Sequence, residues 1–379
     1  MVLFLRSFIV VLLLASAGCG GRAVLGPAIG SQVDPSGVVP LYVATSRAPS
    51  EVPGLPYSAM RSRTLNFARV DVAIPQNHRV GQVETSSHRP DPRRHFSADS
   101  FTPLPTRSDL VSGLNAALAR RAPADREILL FVHGYNNNFA DGVFRNAQIV
   151  HDYNITAVAL HYSWPSGAAI PLYIFDRDSA LLGRRGLAET IEIAAQTKAR
   201  RIVIIGHSMG AFVVAEALRD LALQGRSGTL RRLGGVVLAA PDIDTDVFLS
   251  QLDDIGDVPQ PFSIVVSQRD RALGFSRRLA GGKPRVGSGS DVELLQQREI
   301  AVVDVSDVDG GSHGVFASSS TLMDVVNNDA LLRNILRGES PPGQSVLADS
   351  ALLAEGAASL VIFLPRRLLE GLPQAARTQ

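Results

Sequence analysis

The sequence predicts an α/β fold: a mostly parallel sheet flanked by helices, with two further strands on its N-terminal side. Three observations carry this. From residue 127 onward, short β-branched runs alternate with helix-favouring stretches at a spacing that suits strand–helix–strand crossovers. The run Ile202-Val203-Ile204-Ile205 is of the kind buried on both faces of a parallel sheet. It leads directly into Gly206-His207-Ser208-Met209-Gly210, a match to the G-x-S-x-G elbow that turns a strand into a helix around one serine.

Composition excludes several classes of function. The chain has 379 residues, 45% of them apolar, which is ample for one large core. Thirty-seven Lys and Arg against thirty-six Asp and Glu leave no general field for nucleic acid, so no nucleic-acid partner is expected. A single cysteine rules out an intramolecular disulfide and a cysteine-based zinc cage. No metal and no cofactor are expected.

Residues 1–18 read as an export signal. Arg6 gives a small positive start, residues 8–14 an apolar core too short to span a bilayer, and Ala15-Ser16-Ala17-Gly18 the small residues before Cys19. The ending Ser-Ala-Gly-Cys resembles a bacterial lipobox, whose cysteine is lipidated and becomes the mature N-terminus, although Ser16 stands where that motif has Leu or Val. Gly20 after it resembles lipoproteins sorted to the outer membrane. The expectation is a cell-envelope protein held by a lipid on Cys19, at the outer membrane or the periplasmic face. The alternative is a secretory signal with an incidental cysteine. Residues 19–38, rich in Gly, Pro and Ser, read as a tether.

The folded domain is expected over 39–337. Its first strands fall at 39–44 and 67–74, the second alternating Val70, Val72 and Ile74 and closed by Pro75. Residues 90–106 read as a Pro/Arg/His-rich connection with solvated charge, after which Ser108 caps a helix through Leu118. Strands at 128–132, 157–162, 202–205, 235–239, 262–266 and 300–305 then alternate with helices at 140–151, 177–197, 211–223, 245–252 and 271–279. A last helix is expected over 322–336. The tail, 338–379, holds a helix-like stretch at 345–357 and an apolar run at 359–364. That run is too short to cross a bilayer and is expected to pack on the core, while Arg366 and Arg367 beside it permit a surface-membrane contact.

A serine hydroxyl needs a base to take its proton, and a histidine base needs a carboxylate to hold its tautomer. Ser208 is the expected nucleophile. A second match, Gly310-Gly311-Ser312-His313-Gly314, lacks an apolar strand running into it and reads as an accident of a Gly/Ser-rich loop. His313, in the loop after the last strand, is the expected base, and Asp270, four residues past the strand at 262–266, the expected acid. Asp242 offers a second strand end from which a carboxylate reaches the histidine, although with Asp244 and Asp246 it also reads as a turn and cap. Met209 supplies one backbone N–H for a developing oxyanion, and Gly134 or Tyr135, in Val132-His133-Gly134-Tyr135-Asn136, the second. His133 then orients that loop. Trp164, at the end of a strand, walls a substrate pocket or belongs to the core. The short interval after Pro241 leaves no room for an inserted cap domain, so an open, small-substrate site is expected.

With these residues in view, the runs FVHGYNNNFADGVFRNAQ, HYSWPSG, GHSMGAF, VVLAAPDIDTDVF and SQRDRALGFSRRL resemble the successive blocks of a bacterial α/β-hydrolase family of unknown function. The resemblance extends over about residues 38–337 and includes the opening strands. It implies the α/β-hydrolase fold and a serine-hydrolase mechanism with Ser208, Asp270 and His313 at the triad positions. The expected activity is cleavage of small carboxylic esters through an acyl-enzyme. Thioesterase, amidase or acyltransferase chemistry uses the same residues, and a non-catalytic envelope lipoprotein that keeps the fold as a binding scaffold is the rival from another class.

Overall fold

The computed structural model describes residues 22–28, 33–328 and 360–365. The expected export signal, Cys19 and the helix-like stretch of the tail lie outside the described residues. Three strands open the domain: β1 (Gly37–Pro49), β2 (Tyr57–Ile74) and β3 (Ser97–Leu104). Helix α1 (Arg107–Ala119) follows, then β4 (Glu127–Val132), α2 (Phe139–Asp152), β5 (Val158–Ser163) and α3 (Tyr173–Ala195). The centre is β6 (Arg201–His207) and α4 (Met209–Leu223), followed by β7 (Leu233–Ala239), α5 (Thr245–Ile255), β8 (Phe262–Val266) and α6 (Arg271–Leu279). Next come β9 (Ala301–Asp304), α7 (Ser320–Asn328) and β10 (Val361–Phe363).

The ten strands form one sheet in the order β10-β9-β8-β7-β6-β4-β5-β1-β2-β3. All pairs from β9 to β1 are parallel, while β2, β3 and β10 add antiparallel edges. Every parallel strand therefore ends at the same rim, and the loops after β4, β6, β8 and β9 meet there. This is the α/β-hydrolase architecture that the sequence predicts.

Side-chain alternation assigns the two faces. Ile128, Leu130 and Val132 of β4, with Ile202 and Ile204 of β6, are buried in a core shared with α1, α3, α4 and α5. Leu129 turns the other way, into a core shared with Phe139, Val143, Phe144 and Ala147 of α2. The expectation that the β6 run is buried on both faces needs correction: Val203 and Ile205 are half-buried. They line an apolar groove of about 340 Å³ with Leu129, Val237, Val265 and Val303.

Other departures have local causes. The connection at 90–106 contains β3, whose Pro103 is tolerated because β3 is an edge strand. Thr106, not Ser108, caps α1: its side chain accepts from the Asp109 N–H while the Asp109 carboxylate accepts from the Thr106 N–H, a capping box. The apolar run of the tail is a strand, with Ile362 paired to Val303 and Leu360 and Leu364 buried. Part of the expected tether is folded: Ala23 and Leu25 are buried, with the Leu25 N–H on the Gly54 carbonyl at 2.7 Å.

Candidate active site

One residue separates β6 from α4, and it is Ser208, with φ 55° and ψ −123°. A non-glycine residue there costs about 1–3 kcal/mol and persists only if its surroundings impose it. They do: the Ser208 N–H donates to the Ala239 carbonyl at 2.9 Å, and the Ser208 carbonyl accepts from Ala211 and Asp242 N–H groups at 3.0 and 3.3 Å. The flanking glycines are forced by close approach. A Cβ at Gly206 would lie 2.9 Å from the Ala211 Cα, and one at Gly210 only 2.3 Å from the His133 carbonyl oxygen. Ser312, by contrast, is exposed and extended after a short 3-10 turn, with no strand running into it. The strained elbow is at Ser208.

Asp270 and His313 are brought together. Asp270 precedes α6 and caps it, one carboxylate oxygen accepting from the Leu273 N–H at 3.0 Å. Its other oxygen accepts from His313 Nδ1 at 2.6 Å. With Nδ1–H committed to a carboxylate, His313 keeps the lone pair on Nε2, the form a general base needs. The loop carrying it is held by His207, whose Nε2–H donates to the His313 carbonyl at 3.2 Å. Burial, then the neighbouring His313, holds His207 well below the usual histidine range, so it stays neutral.

Asp242 is placed otherwise. Its carboxylate accepts from the Tyr173 hydroxyl at 2.8 Å and from the Ser276 hydroxyl, and pairs with Arg285 at 3.3 Å. It is a buried structural anion, and Asp270 is the carboxylate on the histidine.

The loop after β4 abuts the elbow. A Cβ on Gly134 would come within 3.0 Å of the Ser208 Cβ, so the Gly134–Tyr135 backbone lies against the serine. The N–H of Met209 belongs to the first turn of α4, where helix N–H groups lack intrahelical partners. Beneath the loop, His133 and Trp164 brace each other. Their rings stack at 5.0 Å, the indole N–H donates to the His133 carbonyl at 2.7 Å, and His133 Nδ1 lies 2.8 Å from the Gly134 carbonyl. Burial, then Arg47 and His161, keeps His133 well below the usual range, which suits a neutral support. Trp164 is fully buried, so of its two sequence readings the structure shows the core one, and it walls no open pocket.

Three residues that sequence reasoning missed tie this loop down. Arg47, fully buried, donates to the carbonyls of Asn137 at 2.8 Å and Ser166 at 3.0 Å and to the Ser163 hydroxyl at 2.9 Å. Its burial, against the pull of Asp176 and Asp141, brings its guanidinium down to about 10. Asp176 accepts from the Ser166 hydroxyl and the Gly167 N–H, both at 2.6 Å, and from the Asn136 N–H at 3.3 Å. Burial raises its carboxyl above the ordinary value. Arg22 donates to the carbonyls of Asn136 at 3.1 Å and Ala168 at 2.5 Å. One signal existed for Arg47: it shares an alternating face with Leu41, Val43 and Thr45, an inward position for a charge.

The site is less open than expected. Only five residues join β7 to α5, so no cap enters there. Instead the connection from β5 into α3 reaches across the rim. Tyr135 donates to the Ile170 carbonyl, Tyr173 to Asp242, and Arg177 lies over the Phe212 ring at 4.4 Å. Ser208 is left 4% accessible.

One set of possible metal ligands exists among the described residues, His78, His151 and Asp152. Both His78 nitrogens are already engaged by carboxylates, Glu84 at 3.0 Å and Asp152 at 2.8 Å, so the cluster reads as a satisfied ion-pair network.

No curated protein matches this sequence. A family model does, over residues 111–333, which contain Ser208, Asp270 and His313. The chain belongs to that family, described as alpha/beta hydrolase of unknown function (DUF900).

Proposed function

We propose that the protein is a serine hydrolase that cleaves carboxylic esters through an acyl-enzyme, exported and held in the cell envelope by a lipid on Cys19. The observation that carries the hydrolase reading is the 2.6 Å His313–Asp270 pair on the same rim as a serine locked at φ 55°, while the anchor rests on the lipobox-like sequence before Cys19. A binding scaffold has no use for backbone strain at a serine, whereas a nucleophile does.

In this mechanism Ser208 Oγ attacks the ester carbonyl while His313 Nε2 takes the hydroxyl proton. Asp270 steadies the imidazolium. The oxyanion is met by the N–H of Met209 and that of Gly134 or Tyr135, which need no reorganisation because the braced loop holds them. His313 then gives its proton to the leaving alcohol, and water, activated by the same nitrogen, releases the acid and restores Ser208. The low accessibility of Ser208 favours a slender acyl group over a folded polypeptide.

A fluorophosphonate probe and a panel of reactive esters, thioesters and amides test this directly. Wild type and Ser312→Ala should both label, whereas Ser208→Ala should not label and should lose turnover by as much as ~10⁶ while remaining folded. Equal labelling of Ser208→Ala would move the nucleophile elsewhere. A wild type that never labels would support the scaffold reading.

A further inference from the structure

Arg22 is fixed at the rim of the site. Besides its bonds to the Asn136 and Ala168 carbonyls, its guanidinium pairs with Asp141 at 3.4 Å. The next residues are held as firmly, with the Ala23 carbonyl accepting from Asn138 at 2.8 Å and Leu25 bonded to Gly54. Cys19 stands three residues before Arg22. Three extended residues span at most ~11 Å, so an anchor on Cys19 sits close to the loop that abuts Ser208. Arg22 to Leu25 of the expected tether are docked on the domain.

The surface next to this point is apolar. Ala168, which receives Arg22, leads into Ile170, Leu172 and Ile174, which are 64%, 40% and 70% exposed. Ile170 and Leu172 lie in a short 3-10 turn (Ile170–Leu172) that leads into Ile174 in the first turn of α3. Val52, also exposed, stands on the loop whose Gly54 receives Leu25. No helix among the described residues is long and apolar enough to cross a membrane.

We propose that this face docks on a lipid bilayer, with the acyl group on Cys19 inserted beside it, and that the substrates are acyl esters of lipids lying in that bilayer. The substrate clause rests on the hydrolase reading, and the docking clause does not. A single acyl chain binds a membrane only marginally, and a second contact makes the attachment stable. Ile170, Leu172 and Ile174 supply that contact. Because Arg22 pins the anchor to the rim, docking turns the mouth of the site toward the bilayer, and an ester enters from the lipid phase.

The test uses the full chain, purified from bacterial membranes and placed in phosphatidylethanolamine–phosphatidylglycerol vesicles. Ile174→Cys and, at the far end of α4, Leu223→Cys, also exposed, are each labelled with an environment-sensitive fluorophore. Spin-labelled lipid should quench the label at 174 and leave that at 223 unaffected. Equal quenching, or none at 174, overturns the docking face whatever the protein hydrolyses. A Cys19 thiol that also takes the label overturns the anchor. The double variant Ile170→Ser/Ile174→Ser should keep hydrolysis of soluble p-nitrophenyl butyrate and lose about tenfold on a fluorogenic diacylglycerol in the vesicles. Absence of that selective loss overturns the substrate clause, and a wild type inert toward every ester sinks the hydrolase reading while quenching still decides the docking.

Discussion

Asp270 and Asp242 are both buried carboxylates near the elbow, and they differ in what already holds their oxygens. One oxygen of Asp270 is free to orient His313, whereas both oxygens of Asp242 are occupied by Tyr173, Ser276 and Arg285. The two amide variants should therefore fail in different ways. Asp270→Asn should keep its melting temperature and lose turnover by up to ~10⁴, because the amide favours the wrong histidine tautomer. Asp242→Asn leaves Arg285 buried without its counter-charge, a loss of about 3–5 kcal/mol in stability, while the folded fraction keeps near-normal turnover. Thermal unfolding followed beside ester hydrolysis separates the two, and a stable but inactive Asp242→Asn would reverse the assignment. Residues of this kind were legible in the sequence when chain order after a strand was enough to place them, as with Ser208, Asp270 and His313. Arg47 and Asp176 were not, because their partners at Asn137, Ser163 and Ser166 lie far along the chain or across a loop that sequence does not close.

Elements were read well where burial dictated their pattern and poorly where a single local bond did. The strands β4, β6 and β8 and the helices α4 and α6 follow from apolar runs closed by glycine or a capping carboxylate, and their expected bounds differ from the observed ones by a few residues at most. β3 was hidden, since SADSFTPL at a sheet edge has one face in water and a proline that a central strand would exclude. The start of α1 was set two residues late because serine is by type a somewhat better cap than threonine, which favours Ser108 over Thr106. Only the reciprocal bonds with Asp109 give the cap to Thr106. Thr106→Ala should therefore cost about 1 kcal/mol in chemical denaturation, against a few tenths for Ser108→Ala. Equal costs would mean that the capping box does not form in solution.

At the scale of the whole molecule, the rim is built on enclosed histidines, His133 and His161 buried and His207 partly so. Burial holds His133 and His207 well below their usual value of 6.5 and brings His161, stacked on Phe131 at 5.8 Å, down to about 3. None of this was legible from eight histidines scattered along the chain, because the sequence does not say which ones the loops will enclose. A depressed histidine has no effect on stability above 6.5, where both folded and unfolded forms are neutral. As pH falls below 6.5 the unfolded chain takes up protons that the folded one refuses, and stability is lost until the folded value is reached. Three such groups give a slope of up to ~4 kcal/mol per pH unit, enough to exhaust a typical stability of about 5–15 kcal/mol within a few units. His78 acts in another window. Burial pulls it down, but its hydrogen bonds to Asp152 and Glu84 outweigh that and raise it. Its contribution is complete below 6.5 and fades as pH climbs through the raised value, so it does not offset the acid loss. Acid unfolding, followed by the fluorescence of Trp164, the one tryptophan in the chain, should begin below pH ~6.5 and pass its midpoint above pH ~4, before most carboxylates titrate. His161→Leu removes one of the three protons and should move that midpoint to lower pH. A wild-type midpoint near pH ~3, unmoved by His161→Leu, would show that the buried histidines take up protons without unfolding the rim.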